Sequence, residues 1–380
     1  MWFQKGLLNE YRRMFAMKKL KIMIVTPTLT NGGAERVAAQ LARGFVMRGN
    51  DVVVVTKTVA RQSYIMDEEF KLYNLFPETN NKLQKFWGSV RLLRNYIKKE
   101  TPDIVIGVMF YAAHTSLLAS IGTKVPVIMC EHNPFQRINT EPTPIIDILD
   151  HFVLDKFYPK VTVLTQADYD FIHRWLPQAV VMPNPCPFPV WKDVPKKEKI
   201  ILAAGRMNNW HYKGFDVLIK TWKLVAPKYP EWKLLLAGTG APKDIEFLKN
   251  LARQEKVIDR MEFLGFCDNM QELYQRSEVF LLSSRSEGLP MVVIEAMSQG
   301  CACVATDFKG RTKEIITNES EGLLCEPENV EALAANLDYM LSHDEYRHNV
   351  QKNAIERSKF YSTDNIIDKW ENVFGEMNIL

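Results

Sequence analysis

The sequence predicts an α/β protein of two doubly wound domains, each a parallel sheet covered by helices on both faces. Apolar runs of strand length alternate with longer helical stretches along the chain. Several of these runs, such as Val52–Val55, are apolar throughout, as in a parallel sheet buried on both sides. The alternation stops at "PNPCPFPVWKDVPKKEK", Pro183 to Lys199, where five prolines and a basic cluster read as an interdomain linker, and then restarts. A chain of 380 residues has the length for two domains of ordinary size.

Taken in order, the strands of the first half are expected at Lys21–Thr26, Val52–Thr56, Phe70–Leu75, Ile104–Val108, Val125–Met129, Val161–Leu164 and Ala179–Met182. After the linker they are expected at Ile200–Ala204, Lys233–Ala237, Met261–Leu264, Val279–Leu282 and Ala302–Ala305. The expected division is an N-terminal extension at 1–20, a first domain at 21–184, a linker at 185–199, a second domain at 200–360 and a C-terminal helix at 361–380 packing back on the first domain. The extension can form a short basic amphipathic helix or precede a start at Met17; it lacks the apolar core and cleavage site of a secretory signal.

Composition narrows the classes. At 47% hydrophobic and 24% charged residues the chain can bury a full core. A net charge of +3 gives no general reason to expect nucleic acid. No run reaches the ~18 apolar residues of a membrane span. The six cysteines form no CxxC pair and no zinc spacing, which reads as a reduced, cytoplasmic protein. "DYD" at Asp168–Asp170 has the look of a metal motif, but residues two apart on a helix face different sides, so a surface helix and no metal are expected.

Open α/β sheets bind ligands beyond the carboxyl ends of their strands, so motifs falling there carry the functional reading. Gly32 and Gly33 follow the first strand and open a helix. Lacking Cβ, they let backbone approach a ligand, and the free amides of the helix start suit an anion. The third glycine of a dinucleotide fingerprint is missing, which disfavours an NAD-dependent oxidoreductase. Arg206 ends the strand Ile200–Ala204, and Lys213 precedes a glycine and a helix near Phe215; two such cations suit a diphosphate. Glu287 lies in the loop after Val279–Leu282, and Glu295 lies in a helix that starts at Pro290. The amides of Leu289, Met291 and Val292 face the same cleft, and carboxylates beside them suit sugar or ribose hydroxyls. Leu83, Phe86, Val90, Leu93 and Ile97 make an apolar stripe edged by Lys82, Lys85, Arg91, Arg94 and Lys98. That helix packs on the sheet, meets an anionic membrane or acceptor diphosphate, or does both. His114 and His132 follow strands, where a buried, satisfied imidazole is the commoner outcome.

Together "GGAER" (32–36), "EHN" (131–133), "PNPC" (183–186), "GR" (205–206), "KGFD" (213–216), "LAGTG" (236–240), "FLGF" (263–266) and "EGLPMVVIEAMSQG" (287–300) resemble the retaining glycosyltransferases of family 4, over roughly residues 20 to 375. The last motif holds that family's glutamate-x7-glutamate pattern. The resemblance implies the GT-B fold and transfer of a hexose or N-acetylhexosamine from a UDP-sugar. "GGAER", "EHN" and "NPC" are similar to the branch building bacterial surface glycans on polyprenyl-diphosphate acceptors. It further implies that Arg206 and Lys213 hold the donor diphosphate, with Gly33 facing it from the other domain. Glu287 would contact the transferred sugar, Glu295 the ribose, the Phe266 backbone the base, and His132 the region of the anomeric carbon. Gly238, Gly288, Leu289, Pro290 and Met291 would complete the donor site, with no cofactor or metal required. The enzyme would work in the cytoplasm, peripherally at the inner face of the plasma membrane. The alternatives are a GT-B-fold nucleotide-sugar epimerase, for which no extra carboxylate cluster is visible, and a non-catalytic sugar-nucleotide-binding protein. The Arg206–Lys213 spacing is longer than usual, and "DFKGRTKEII" replaces the usual glycine pair while Glu314 keeps its place.

Overall fold

The computed structural model describes residues 18–29, 33–57, 70–75, 81–135 and 153–380. The first domain contains β1 (Lys21–Thr26), α1 (Gly33–Met47), β2 (Asp51–Thr56), β3 (Lys71–Asn74), α2 (Lys82–Glu100), β4 (Ile104–Val108), α3 (Met109–Ser120), β5 (Val127–Cys130), β6 (Lys160–Val163), α4 (Gln166–Ile172) and β7 (Ala179–Val181). Its seven parallel strands run in the order β3-β2-β1-β4-β5-β6-β7. The sheet reverses direction of growth between β1 and β4, so the turn after β1 opens on the crevice where such sheets bind ligands.

Alternation along β1 decides which layer each residue joins. Ile22 and Ile24 pack with Val37, Leu41 and Phe45 of α1, whereas Met23 and Val25 pack with Val90, Leu93 and Ile97 of α2. Both faces are covered, which is why the strand is apolar at every interior position. The strand at 125–129 starts later than expected because Pro126 has no amide to give the ladder; its carbonyl still accepts from Val105.

The second domain contains β8 (Glu198–Ala204), α5 (Trp210–Lys213), α6 (Phe215–Val225), β9 (Lys233–Ala237), α7 (Pro242–Gln254), β10 (Met261–Gly265), α8 (Met270–Arg276), β11 (Ser277–Leu282), α9 (Met291–Ser298), β12 (Ala302–Thr306), β13 (Gly322–Cys325), α10 (Val330–Ser342) and α11 (Asp344–Ser358). Six parallel strands run β10-β9-β8-β11-β12-β13, with the reversal at β8. The edge strand β13 was not expected: "GLLC" is four residues long, too short to show a strand period.

Between the domains, residues 183–197 are not a free tether. Cys186 is buried, Trp191 N–H donates to the Ser298 carbonyl, and the Gln299 side-chain amide donates to the Pro189 carbonyl. Lys197 donates to the Tyr274 and Gln299 carbonyls, and its burial lowers its pKa. The segment is strapped along the second domain. The chain then returns through α12 (Thr363–Glu376), whose Ile366, Ile367, Trp370 and Phe374 join the first domain's core. Gly44 permits that contact: a Cβ there would stand 2.7 Å from Ile367 Cγ1.

Candidate active site

The loops at the carboxyl ends of β8, β9, β10 and β11 are stitched to one another. Gly238 after β9 has φ of 141°, and a Cβ there would meet the Gly205 carbonyl oxygen at 1.8 Å. Its N–H donates to the Gly265 carbonyl, and Met207 N–H donates to that of Thr239. Gly214 has φ of 61°, and a Cβ would lie 1.8 Å from the Ser283 carbonyl oxygen. Only glycine fits either position. Arg206 therefore stands exposed at the end of β8 beside the loop that carries Lys213.

Lys213 Nζ lies 2.8 Å from Glu287 Oε1, and Ser284 Oγ donates to the same oxygen at 2.6 Å. The loop is braced by Arg285, a residue the sequence reading missed. Its guanidinium grips Asp216 through two bonds of 2.7 and 2.8 Å, and its N–H donates to the Tyr212 carbonyl. Such a bidentate fork fixes orientation as well as charge. Asp216 is the last residue of "KGFD", so that motif holds the glutamate loop to the lysine turn.

Glu295 occupies the second turn of α9 and is buried. Its Oε1 accepts from Arg36 Nη1 of α1 at 3.1 Å, and its Oε2 accepts from the Tyr274 hydroxyl at 3.1 Å. Arg36 belongs to the facing domain, and its guanidinium also lies over the Phe188 ring, 4.9 Å from its centroid. Burial raises the Glu295 pKa, against the pull of Arg36 and then of Tyr274. Leu289 and Pro290 are buried, Met291 is half-buried, and α9 begins at Met291, one residue later than expected, with Pro290 in the cap position and no side-chain cap.

Across the cleft, Glu131 is buried and its Oε1 accepts from the N–H groups of His132 and Asn133, at 2.9 and 2.7 Å. That pair of bonds turns the chain sharply after β5 and carries the His132 carbonyl toward the second domain. A Cβ on Gly288 would stand 2.9 Å from that carbonyl oxygen. Among the described residues the buried His132 Nε2 has no partner, and burial lowers the imidazole pKa to about 4. The ring is therefore neutral at physiological pH, with a hydrogen-bonding atom unspent.

The remaining expected residues divide. Gly33 opens α1, and a Cβ there would meet none of the described residues within 4 Å. Gly32 lies outside the described residues. Phe266 is exposed just past β10, following Gly265 at φ of 70°. His114 Nδ1–H donates to the Phe110 carbonyl, 2.8 Å away, while among the described residues its buried Nε2 has no partner.

On α2, Val90, Leu93 and Ile97 are buried as the stripe requires, but Leu83 is 68% exposed, and so is Trp87 at 56%. The first two turns of the helix thus project beyond the layer that the stripe was expected to join. Arg91 and Lys98 are exposed and Lys85 is half-buried, but Arg94 donates to the Ala119 carbonyl at 3.3 Å and belongs to the contact with α3. Lys85 and Lys98 are roughly 20 Å apart along the axis at 1.5 Å per residue, so the four cations do not make one patch.

Asp168 corrects the expectation of a surface helix: it is buried, and only Asp170 faces out. Thr165 caps α4 by accepting from Asp168 N–H and donates its hydroxyl to Asp168 Oδ2 at 2.7 Å. The pattern T-x-x-D before a helix is the capping-box signature and was there to be read. Asp168 Oδ1 accepts from Phe135 N–H at 2.9 Å and from Arg311 Nη2, across the interface, at 2.5 Å. Beside it Glu314 accepts from the N–H groups of Gln166 and Ala167 at the start of α4. The departure "DFKGRTKEII" therefore builds an interdomain contact. Among the described residues no group of three His, Cys, Asp or Glu side chains could hold a metal.

Two facing Rossmann-like domains with a cation, two carboxylates and close-packed loops at their shared crevice define a GT-B glycosyltransferase. Residues 31–186 match the family Glycosyltransferase Family 4 and residues 191–357 match Glycosyl transferases group 1. The chain belongs to these glycosyltransferases. It is 27% identical to an uncharacterized glycosyltransferase of Haemophilus influenzae, over 94% of this chain and 100% of that one. It is 24% identical, over 94% of this chain and 99% of the relative, to a Campylobacter jejuni enzyme. That enzyme is the GalNAc-alpha-(1->4)-GalNAc-alpha-(1->3)-diNAcBac-PP-undecaprenol alpha-1,4-N-acetyl-D-galactosaminyltransferase. Among solved structures, Anabaena HepE in complex with UDP and glucose superposes with a TM-score of 0.80 at 16% identity, covering 94% of this chain and 100% of that one.

Proposed function

We propose that the protein is a retaining glycosyltransferase that moves a hexose or N-acetylhexosamine from a UDP-sugar to a polyprenyl-diphosphate-linked glycan during bacterial surface-glycan assembly. The observation that carries this reading is the convergence of Lys213–Glu287, Arg36–Glu295 and the Gly288–His132 contact on one cleft. The C. jejuni relative's undecaprenol-linked acceptor supports the acceptor class.

In this reading Arg206 and Lys213 neutralise the donor diphosphate, with Gly33 facing it from α1. Lys213 is shared with Glu287, which accepts hydroxyls of the transferred sugar, and Glu295 accepts those of the ribose. The Gly238 turn, the amides of Gly288, Leu289 and Met291 and the Pro290 ring shape the wall, with the Phe266 backbone at the base. The neutral His132 lends Nε2 to the sugar without adding charge near the anomeric carbon. The acceptor attacks from the leaving-group side, and a phosphate oxygen takes its proton. The protein's contribution is positioning and stabilisation of the departing diphosphate, with no metal needed.

Leu83, Trp87 and Arg91 follow one another at four-residue spacing on one side of α2, an apolar and basic edge suited to the headgroup zone of an anionic bilayer. Among the described residues no helix is long and apolar enough to cross a membrane. Peripheral binding at the cytoplasmic face is the arrangement this edge supports.

The test is a panel of UDP-sugars with polyprenyl-diphosphate glycans, scoring UDP release and α-linked product. Release that requires acceptor and survives EDTA is expected. Sugar epimerisation without acceptor, or UDP-sugar binding with no turnover on any acceptor, would replace this reading with the epimerase or the non-catalytic one.

A further inference from the structure

We infer that Arg36 is a positioning residue for the donor: from the first domain it keeps the buried Glu295 ionised, and so fit to accept the ribose hydroxyls. This rests on the assignment of Glu295 to the ribose. The geometry is a carboxylate closed in on both oxygens, with Arg36 Nη1 at 3.1 Å on one and the Tyr274 hydroxyl at 3.1 Å on the other. Arg36 is itself fixed by the Phe188 ring beneath its guanidinium. A buried carboxylate without a counter-charge takes up a proton. Once protonated, it has one oxygen turned donor and is a poorer acceptor for two hydroxyls.

The groups around Glu295 leave few ways to misread a pH effect. Arg36 faces it from α1, Tyr274 from α8 and the Cys186 thiol from the connecting segment. Tyr274 is raised well above its usual value and Cys186 is raised to about 11, so neither titrates between pH 5.5 and 8.5. Glu295 is the remaining carboxylate of this cluster, and removing Arg36 takes away the largest charge opposing its burial. Its pKa, already raised by burial, then rises further.

The experiment measures affinity for UDP and for 2′,3′-dideoxy-UDP by calorimetry from pH 5.5 to 8.5. The ratio of the two isolates the ribose hydroxyls and cancels any change in diphosphate binding. The wild type should favour UDP at least tenfold, with a ratio that is flat above about pH 6.5. In Arg36→Gln the ratio should fall below threefold at pH 6.5 and recover as pH rises to 8.5, because deprotonation restores the acceptor. Arg36→Lys should keep most of the wild-type ratio, and Arg36→Met serves if the Gln variant does not fold. A wild-type ratio at every pH in both neutral variants overturns the inference while leaving the ribose assignment standing. A ratio unchanged by Glu295→Gln overturns the ribose assignment itself, and the inference with it.

Discussion

Asp168→Ala should be among the most damaging single substitutions away from the donor site, and the structure sets its size. Asp168 is 2% exposed and Arg311 0%, and the two meet at 2.5 Å between the domains. Among the described residues Arg311 Nε and Nη1 have no partner, and the Asp168 carboxylate is the charge that compensates the guanidinium. Removing one member of a buried pair costs about 3–5 kcal/mol, because the other is left charged and dry. At ~2–4 °C per kcal/mol for a domain of this size, the melting temperature should fall on the order of 6–20 °C. Arg311→Met should do comparable harm from the other side. The double variant Asp168→Leu/Arg311→Met should be less destabilised than either single one, since an apolar replacement of a buried pair is often neutral. What remains are the orphaned Phe135 N–H and Thr165 hydroxyl, each worth about 1–3 kcal/mol. Scanning calorimetry of the four proteins measures the cycle. Single variants within 1 °C of wild type, or strictly additive effects, would refute the reasoning.

Other consequences can be checked directly. Arg206→Ala should lower turnover by two to three orders of magnitude, following ~3–4 kcal/mol lost from one donor to the developing diphosphate charge; steady-state kinetics with saturating donor reads it. Gly214→Ala should leave little folded second domain, since a Cβ would sit 1.8 Å from the Ser283 carbonyl oxygen, and circular dichroism with limited proteolysis would show it. Glu100 accepts from the Tyr73 hydroxyl, Lys71 and Lys21, with the tyrosine bond the first cause of a pKa lowered to about 2. Its folded value lies below its unfolded one, so its stabilisation is present above about pH 4.5 and is lost as pH falls toward 2. Glu100→Gln should therefore melt lower than wild type at pH 7, with the gap closing toward pH 3. Arg91→Glu should weaken sedimentation with anionic vesicles in a salt-dependent way, leaving melting temperature within about 1 °C, as for an exposed surface position.

The sheets were legible because burial on both faces writes itself as unbroken apolar runs. Lys21–Thr26, Ile104–Val108 and Lys233–Ala237 fall where they were expected. The short edge strand Gly322–Cys325 carries too few residues to show a period. Strand-end residues such as Arg206 and Glu287 were legible for the same reason as the strands: once the strand is placed, its carboxyl end is placed. Their partners were not. Arg36 and Glu295 are 259 residues apart in sequence, and Arg311 and Asp168 are 143 apart, so no local pattern connects either pair. Asp168 is different, because its T-x-x-D cap pattern was local; the argument that residues two apart face different sides separates Asp168 from Asp170 but does not say which of them is buried.

The chain passes between the domains twice, and both passages lie together. Cys186 N–H donates to the Tyr361 carbonyl at 2.7 Å, tying the connecting segment to the start of the returning helix. Two crossings bound to each other make a hinge line. Away from it, four contacts close the cleft: Arg36 with Glu295, Gly288 against the His132 carbonyl, Arg311 with Asp168, and Glu314 on the first amides of α4. They differ in what they cost to open. Parting Arg311 from Asp168 strands a buried charge. Within the second domain, by contrast, Lys213 rests on Glu287, a carboxylate that the proposed donor would also occupy. That contact can be exchanged for ligand at little net loss, because charge and hydrogen bonds are replaced as they are given up. The same cleft can therefore keep its shape through the buried pair at Asp168 while its binding groups change partners.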